Sequence, residues 1–233
     1  MKIVVLLLVA MILSTQGQVN RIRVMVLGDQ NANQLLFNPA PEDLAPRFLQ
    51  VEIQPGILAK LPVQMGAPST QIAINGGLLE VPIFRGIKPN EDAWTKVTLP
   101  KAGDYLAVIV QSPRRNKMGW RRVKTYVFED EKGIAPKGKI RVLNASEKSL
   151  ALKLGDLQAK ALKAGKSMSV PQPEKETELK MAQKTEAGKY RMIRGCLLEK
   201  RKKGVRKSYF VYQDGNLSVK SLLHVEEVNL PKN

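Results

Sequence analysis

The sequence predicts an all-β protein: two tandem antiparallel β-sandwich domains, immunoglobulin-like, that derive from an internal duplication. The first observation is a repeated motif, since residues 101–105 read KAGDY and run into LAVIV at 106–110, while residues 186–190 read EAGKY and run into RMIRG at 191–195. A basic loop containing glycine and a strand with a tyrosine come next in both copies, at 125–128 and 208–211. Self-similarity of this kind indicates two copies of one β unit.

Short apolar segments are the second observation. Many alternate with period two, are rich in Val and Ile, and are bounded by Gly, Pro, Asn or Asp, which is typical of antiparallel sandwiches. The strands predicted for the first copy are 21–27, 34–37, 48–53, 60–63, 71–74, 80–84, 95–99, 105–111 and 123–128. Those predicted for the second copy are 139–144, 150–154, 157–162, 167–170, 178–181, 190–198, 207–212 and 217–225.

The scarcity of helical periodicity is the third observation. Residues 41–45 could make a single turn, since Pro41 suits its start and Pro46 stops it. Residues 156–164 have a helix-forming composition, but the repeat sets them opposite 48–53, which favours a strand. The fold class therefore rests on strands throughout the chain.

The N-terminal residues 1–17 predict a secretory signal peptide. Lys2 gives a positive start, residues 3–13 are apolar, and small residues precede a cleavage position near Gly17. The apolar run is shorter than the roughly 20 residues that cross a bilayer. We therefore expect an exported protein, periplasmic or extracellular and associated with the envelope; an uncleaved anchor or a first buried strand is the alternative.

The repeat also divides the remaining chain. We expect a first sandwich over 19–134 and a second over 137–226, joined by a segment rich in Gly and Pro, with 227–233 as a C-terminal tail. The offset between matched motifs shrinks along the chain, so the first copy should carry an insertion at 75–100. That insertion is expected to add a hairpin or a structured loop, either functional or packed against the second domain.

No catalytic or metal-binding pattern stands out, and neither an enzyme nor a cofactor is expected. Cys196 is the only cysteine, so no intramolecular disulfide can form; a buried thiol is favoured over an intermolecular pair. His224, the only histidine, is distant in sequence. The carboxylates occur as adjacent pairs, and neighbours in a strand point to opposite faces, so spacing alone presents no two acids to one substrate.

The second copy resembles a family of bacterial exported β-sandwich repeats of unknown function. The resemblance rests on residues 139–146, KIRVLNAS, compared with a first strand that reads roughly R-V-x-H-A-S, and is clearest over 139–212. Asn144 stands where that family has His, and Glu147 replaces the expected Pro. The resemblance implies a sandwich in the periplasm or at the cell surface and brings no catalytic residues.

Positive charge is the remaining informative quantity. The chain has 38 Lys plus Arg against 21 Asp plus Glu, a formal net charge of +17. Residues 19–136 hold 15 basic and 11 acidic side chains, whereas residues 137–233 hold 22 and 10. The second domain is therefore the basic one, and a strongly positive surface attracts anionic ligands.

Two basic clusters are expected at hairpin tips, one in each copy, and they supply the candidate anion-binding residues. The candidates are Arg114, Arg115, Lys117, Trp120, Arg121, Arg122, Lys124, Lys200, Arg201, Lys202, Lys203, Arg206 and Lys207. The expected function is non-catalytic binding of an anionic envelope polymer or membrane surface through these loops. Nucleic acid is less favoured, because such proteins add aromatic stacking platforms and aromatics are 5% of the chain. The alternative is a structural or assembly subunit of an envelope complex, in which the positive surface meets an acidic protein.

Overall fold

The structure is a computed structural model, and its description covers most of the chain after the N-terminal region. The described residues are 19–28, 43–75, 78–86, 92–112, 120–130, 139–185, 187–200, 205–213 and 219–227. The predicted signal peptide, the strand predicted at 34–37, the segment joining the domains and most of the tail lie outside them. So do the candidates Arg114, Arg115, Lys117, Arg201, Lys202 and Lys203.

Sixteen strands lie in the described residues, eight in each half of the chain. Those of the first half are β1 (Asn20–Leu27), β2 (Phe48–Gln54), β3 (Ile57–Pro62), β4 (Ile72–Ile74), β5 (Glu80–Arg85), β6 (Thr95–Thr98), β7 (Asp104–Gln111) and β8 (Val123–Glu129). Those of the second half are β9 (Lys139–Ala145), β10 (Leu150–Leu154), β11 (Lys160–Leu162), β12 (Ser167–Pro171), β13 (Thr177–Lys184), β14 (Tyr190–Leu198), β15 (Val205–Gln213) and β16 (Val219–Glu227). The predicted all-β class is confirmed, and the segment 156–164 contributes the strand β11.

The strands form four sheets, which pair into two sandwich-like domains. In the first domain we call β4-β1-β7-β8 the inner sheet and β3-β2-β5-β6 the outer sheet. In the second domain the inner sheet is β12-β9-β15-β16 and the outer sheet is β11-β10-β13-β14. Adding eight to each strand number of the first domain reproduces the second, so the two domains share one topology.

The sheets are antiparallel except at one place in each domain. β1 pairs in parallel with β7, and β9 pairs in parallel with β15. Parallel neighbours need a long crossover connection, which here is the outer sheet itself, traversed between the first and seventh strands. All other strand pairs of the described residues are antiparallel, as predicted, and these two central pairs are parallel.

The KAGDY and EAGKY motifs lead into strands that are not equivalent in the two domains. Tyr105 lies in β7, whereas Tyr190 begins β14, whose place in its sheet corresponds to β6. By the same strand order, the β5–β6 hairpin within residues 75–100 corresponds to β13–β14. The repeat is therefore carried by the topology, and the alignment of the KAGDY and EAGKY motifs is wrong.

Three apolar clusters make up the interior. One lies between the sheets of the first domain and includes Ile22, Leu49 and Ile109. A second lies between the sheets of the second domain and includes Val142 and Leu179. The third joins the two inner sheets, and its buried members are Met25, Leu27, Leu106, Val108, Val110, Tyr126, Phe128, Leu143, Ala145 and Phe210. Both inner sheets are thus covered on both faces, and the four sheets stack as outer, inner, inner, outer.

Candidate anion-binding site

Arg206, one of the predicted anion ligands, lies inside the interface between the two inner sheets. Its side chain is 9% exposed, and its NH2 donates to Asp130 Oδ1 at 2.7 Å. Arg23 of β1 donates from Nε to Asp130 Oδ2, also at 2.7 Å, and Arg141 NH1 of β9 lies 3.9 Å from Oδ1. Three guanidinium groups from both domains therefore converge on one carboxylate.

The ionisation of Asp130 follows from these partners. Burial alone raises the pKa of this carboxyl, which is 1% exposed, but the hydrogen bond and charge of Arg23, with those of Arg206, outweigh burial and hold the pKa below its ordinary value. The carboxylate is charged at neutral pH and joins the domains at this end of the interface. Arg206 is consequently committed to a structural ion pair, and the surface role predicted for it is corrected.

Lys207 is also withdrawn from solvent. Its side chain is 4% exposed, and Nζ lies 3.3 Å from Glu199 Oε2, which stands just after β14. The backbone of Lys207 pairs with Ile140 at the start of the parallel β9–β15 ladder. Its ammonium group therefore helps to hold the β14–β15 connection rather than presenting a charge to a ligand.

Trp120, predicted as the aromatic of a basic loop, is a core residue of the first domain. It is 1% exposed, and its carbonyl oxygen accepts a hydrogen bond of 2.9 Å from Trp94 Nε1. Gly28 makes room for the indole, since a Cβ at that position would lie 2.6 Å from two atoms of the ring. No face of this indole is left for stacking on a ligand.

The other described cations of the first cluster lie at the surface beside carboxylates. Arg121 Nε is 2.9 Å from Asp43 Oδ1, and Lys124 Nζ is 2.8 Å from Glu147 Oε1 in the second domain. Arg122 is exposed. Two of the three positive charges are thus partly neutralised within the chain.

The two predicted basic loops leave opposite ends of the molecule. The loop after Gln111 leaves β7 at the end where Gln111, Lys124 and Gln213 line a common surface recess. The loop before Val205 enters β15 at the Asp130 end, where Asp130 N–H donates to the Asp104 carbonyl oxygen. These ends are separated by the length of β7, roughly 25 Å for an eight-residue strand. The first loop joins β7 and β8, which are antiparallel neighbours in one sheet. The second loop joins β14 and β15, which belong to different sheets. The prediction of a hairpin tip is therefore wrong for the second loop.

The larger group of exposed cations lies on and around the outer sheet of the second domain. Lys153 and Lys180 are direct cross-strand partners on its outward face, and Lys184 follows on the same face of β13. Like charges directly opposite one another destabilise a sheet. The exposed cations that we call the outer basic surface are Lys153, Lys180, Lys184, Lys189, Arg191, Arg194 and Lys200. Arg191 and Arg194 pair with Gln183 and Met181, so they lie at the open edge of the sheet and not on its outward face.

Few carboxylates balance the outer basic surface. Among the described side chains, Glu178 lies 3.3 Å from Lys180, and no carboxylate comes within ion-pair distance of Lys153, Lys184 or Arg191. Lys200, the first residue of the predicted cluster, stands two residues after the end of β14, beyond Glu199. The sequence signal that we missed is the period-two spacing of Lys180 and Lys184, which places both on one face of a strand.

Cys196 and His224 occupy different sheets of the second domain. Cys196 lies half-buried in β14, where burial raises the pKa of the thiol, and its Sγ lies 3.7 Å from the Leu179 carbonyl oxygen. The backbone of His224 pairs with Ser208 in the inner sheet. Among the described residues no group of three or more His, Cys, Asp or Glu side chains is placed to hold a metal ion.

Asn144, where the resembled family has His, is a buried structural hub. Its Nδ2 donates to the carbonyl oxygen of Lys148 at 2.8 Å and lies within 3.3 Å of those of Leu162 and Lys163. Its Oδ1 accepts from the Ser146 hydroxyl at 2.6 Å. The side chain is fully enclosed, and its polar atoms are occupied by the turn that follows β9 and by the end of β11.

No helix in the described part of the chain is long and apolar enough to cross a membrane. Comparison with models of known protein families gives no match to this chain, and comparison with curated proteins gives none either.

Proposed function

We propose that the protein is a non-catalytic binding protein of the bacterial envelope whose second domain holds an anionic polymer or an anionic membrane surface. The observation that carries the proposal is the outer basic surface. It places lysines opposite one another on a solvent-facing sheet, an arrangement that favours binding of a counter-charge. Export through the predicted signal peptide belongs to the same proposal.

The shape of this surface suits an extended ligand. β14 has nine residues, so Lys189 and Lys200 at its two ends lie on the order of 30 Å apart. Lys153, Lys180 and Lys184 flank this line on the neighbouring strands. A polymer with regularly spaced negative groups, or a layer of anionic head groups, could contact several of these cations at once.

The test is the salt dependence of binding to heparin by two variants that lose the same charge. The triple variant Lys153→Gln, Lys180→Gln, Lys184→Gln removes three cations of the outer basic surface. The control Lys60→Gln, Lys96→Gln, Lys101→Gln removes three from the first domain, where Lys96 and Lys101 face Glu80 and Glu129. In the triple variant the slope of log affinity against log salt should become less steep by roughly 0.7–0.9 for each removed lysine that contacts the ligand in the natural chain. In the control the slope should change little.

The nature of the ligand follows from parallel measurements with anionic vesicles and duplex DNA. Replacing Lys200, Arg201, Lys202 and Lys203 by Ser should flatten the slope further, with little change in thermal stability, if this cluster extends the surface. Equal slopes for the triple variant and its control would contradict the proposed location. Absence of binding to heparin, vesicles and DNA at about 50 mM salt would contradict polyanion binding, and the assembly-subunit alternative would take its place.

A further inference from the structure

The edge strand β14 is largely exposed to solvent, and its exposed residues include large apolar side chains. It ends the outer sheet, pairing with β13 on one side. Tyr190, Met192 and Leu197 are 49%, 56% and 62% exposed. Natural edge strands are usually kept short or covered, because an unpaired edge invites another strand.

The corresponding strand of the first domain shows what closure of this edge looks like. β6 has four residues, and Thr95 Oγ1 lies 2.7 Å from Thr125 Oγ1 of β8, which ties the outer sheet to the inner sheet. In the second domain Ser221 of β16 lies instead within 3.4 Å of the hydroxyl of Tyr209 in the adjacent strand. β14 is therefore both longer than its counterpart and without the closing hydroxyl pair.

From these observations we infer that β14 is a strand-addition site for an extended acidic segment of a partner protein. The inference goes beyond polyanion binding, since it requires backbone pairing and apolar contacts as well as charge. It does not depend on the proposed function, because the exposed edge and its apolar side chains are separate observations.

Charge determines the occupant. β14 carries Arg191 and Arg194, with Lys189 and Lys200 beyond its ends. If a second copy paired antiparallel about the middle of β14, Arg194 would face Arg194 of that copy, and like charges directly opposite are unfavourable. The carboxylates of an acidic strand would instead attract the guanidinium groups at these positions.

The faces of β14 further specify the partner sequence. Tyr190 and Met192 pair with Lys184 and Ala182, which lie on the outward face, whereas Arg191 pairs with Gln183 on the other face. Side chains of paired residues share a face, so a strand that pairs with residues 190–192 should alternate apolar and acidic residues there. A bulge between Met192 and Arg194 interrupts the alternation and returns Arg194 to the face of Arg191. Its apolar side chains would cover Tyr190 and Met192, and its carboxylates would approach Arg191.

The experiment measures binding of a fluorescent nine-residue peptide of alternating Glu and Val to the full chain. Two further peptides of the same sequence carry N-methyl groups on alternate residues: the odd-numbered residues in one peptide and the even-numbered residues in the other. Each methylated peptide keeps the charge but loses the hydrogen-bond donors along one edge of the extended strand. Strand addition predicts that one methylated peptide binds roughly tenfold or more weakly, because several backbone hydrogen bonds are lost together. Equal affinity of all three peptides, or no binding of the unmodified one, would overturn the inference.

Matched variants locate the site. The double variant Arg191→Glu, Arg194→Glu should weaken peptide binding by roughly tenfold or more. Lys160→Glu, Lys163→Glu makes the same charge change at the opposite edge of the same sheet and should leave peptide affinity within about threefold. Equal losses in the two variants, or self-association of the chain through β14, would overturn the inference, whereas loss of heparin binding alone would bear only on the proposed function.

Discussion

The two domains share one topology but differ in how their matching edges are finished. In the first domain the short β6 is joined to β8 by the Thr95–Thr125 contact, and Trp94 donates to the Trp120 carbonyl nearby. In the second domain β14 has nine residues and exposes apolar side chains. The common fold therefore has a closed edge in the first domain and an open edge, beside Lys180 and Lys184, in the second.

The inner sheets differ from the outer sheets in a second respect. They meet through an apolar interface that ends in the Asp130 ion cluster, while the outer sheets face solvent.

Replacing Asp130 should therefore have the largest effect on the free energy of unfolding. Asp130→Asn leaves three guanidinium groups around a neutral amide and should destabilise the chain by about 3–5 kcal/mol in urea unfolding at pH 7.

The control for this substitution is Asp104→Asn. Asp104 lies 3.8 Å from Arg21 in a pair whose arginine is 57% exposed, so its loss should cost less than about 1 kcal/mol. Equal losses for the two variants would mean that the ion cluster does not stabilise the contact between the domains.

The same carboxylate predicts an acid-dependent loss of stability. Because the pKa of Asp130 is lower in the folded chain than in the unfolded one, its contribution is complete above about pH 4 and declines as pH falls through the folded value. Unfolding free energies measured at pH 7 and pH 3 should differ less in Asp130→Asn than in the natural chain. An identical difference in both would place the acid sensitivity elsewhere.

An intermediate effect is expected at Gly28, which lies against the buried indole of Trp120. Gly28→Ala puts a methyl group 2.6 Å from the Trp120 ring, so either the indole or β1 must move. The cost should be about 1–3 kcal/mol, and the near-ultraviolet circular dichroism of the tryptophans should change. Gly56→Ala has no atom within 4 Å, so it should leave that spectrum unchanged even though the φ of +76° at Gly56 adds backbone strain.

A smaller effect on the free energy of unfolding should distinguish the Thr95–Thr125 contact of the first domain from the Tyr209–Ser221 contact of the second. Thr125→Val removes the hydroxyl that meets Thr95 and should cost about 1 kcal/mol, measured by urea unfolding. Ser221→Ala removes a contact of 3.4 Å to Tyr209 and should cost less. The reverse order would show that the Thr95–Thr125 contact is not what closes the first domain.

The smallest effect is expected at the other end of the interface. Lys124 and Glu147 join the two domains at 2.8 Å, but their side chains are 46% and 48% exposed. Lys124→Ala should lower the free energy of unfolding by no more than about 0.5 kcal/mol, and added salt should remove the difference. A loss as large as that of Asp130→Asn would show that this pair is as important to the interface.

The sequence by itself determined the strands, because alternation and turn residues act over a few neighbouring positions. β10 and β14 have the predicted bounds, and most other strands differ from prediction by one to three residues at an end. The period-two spacing of Lys180 and Lys184 also marks the exposed face of β13. The apolar runs at 24–27 in β1 and 105–110 in β7 carried a further signal, since strands buried on both faces lose their alternation.

Only the tertiary structure decided which strands correspond and which cations remain in solvent. Tyr105 and Tyr190 follow similar motifs yet occupy different positions in their sheets, because pairing is set by contacts between distant segments. Arg206 resembles any other cation of its cluster in sequence, but its guanidinium meets Asp130, which is 76 residues away. Burial of a charge depends on a partner brought from elsewhere in the fold, and no local pattern specifies that partner.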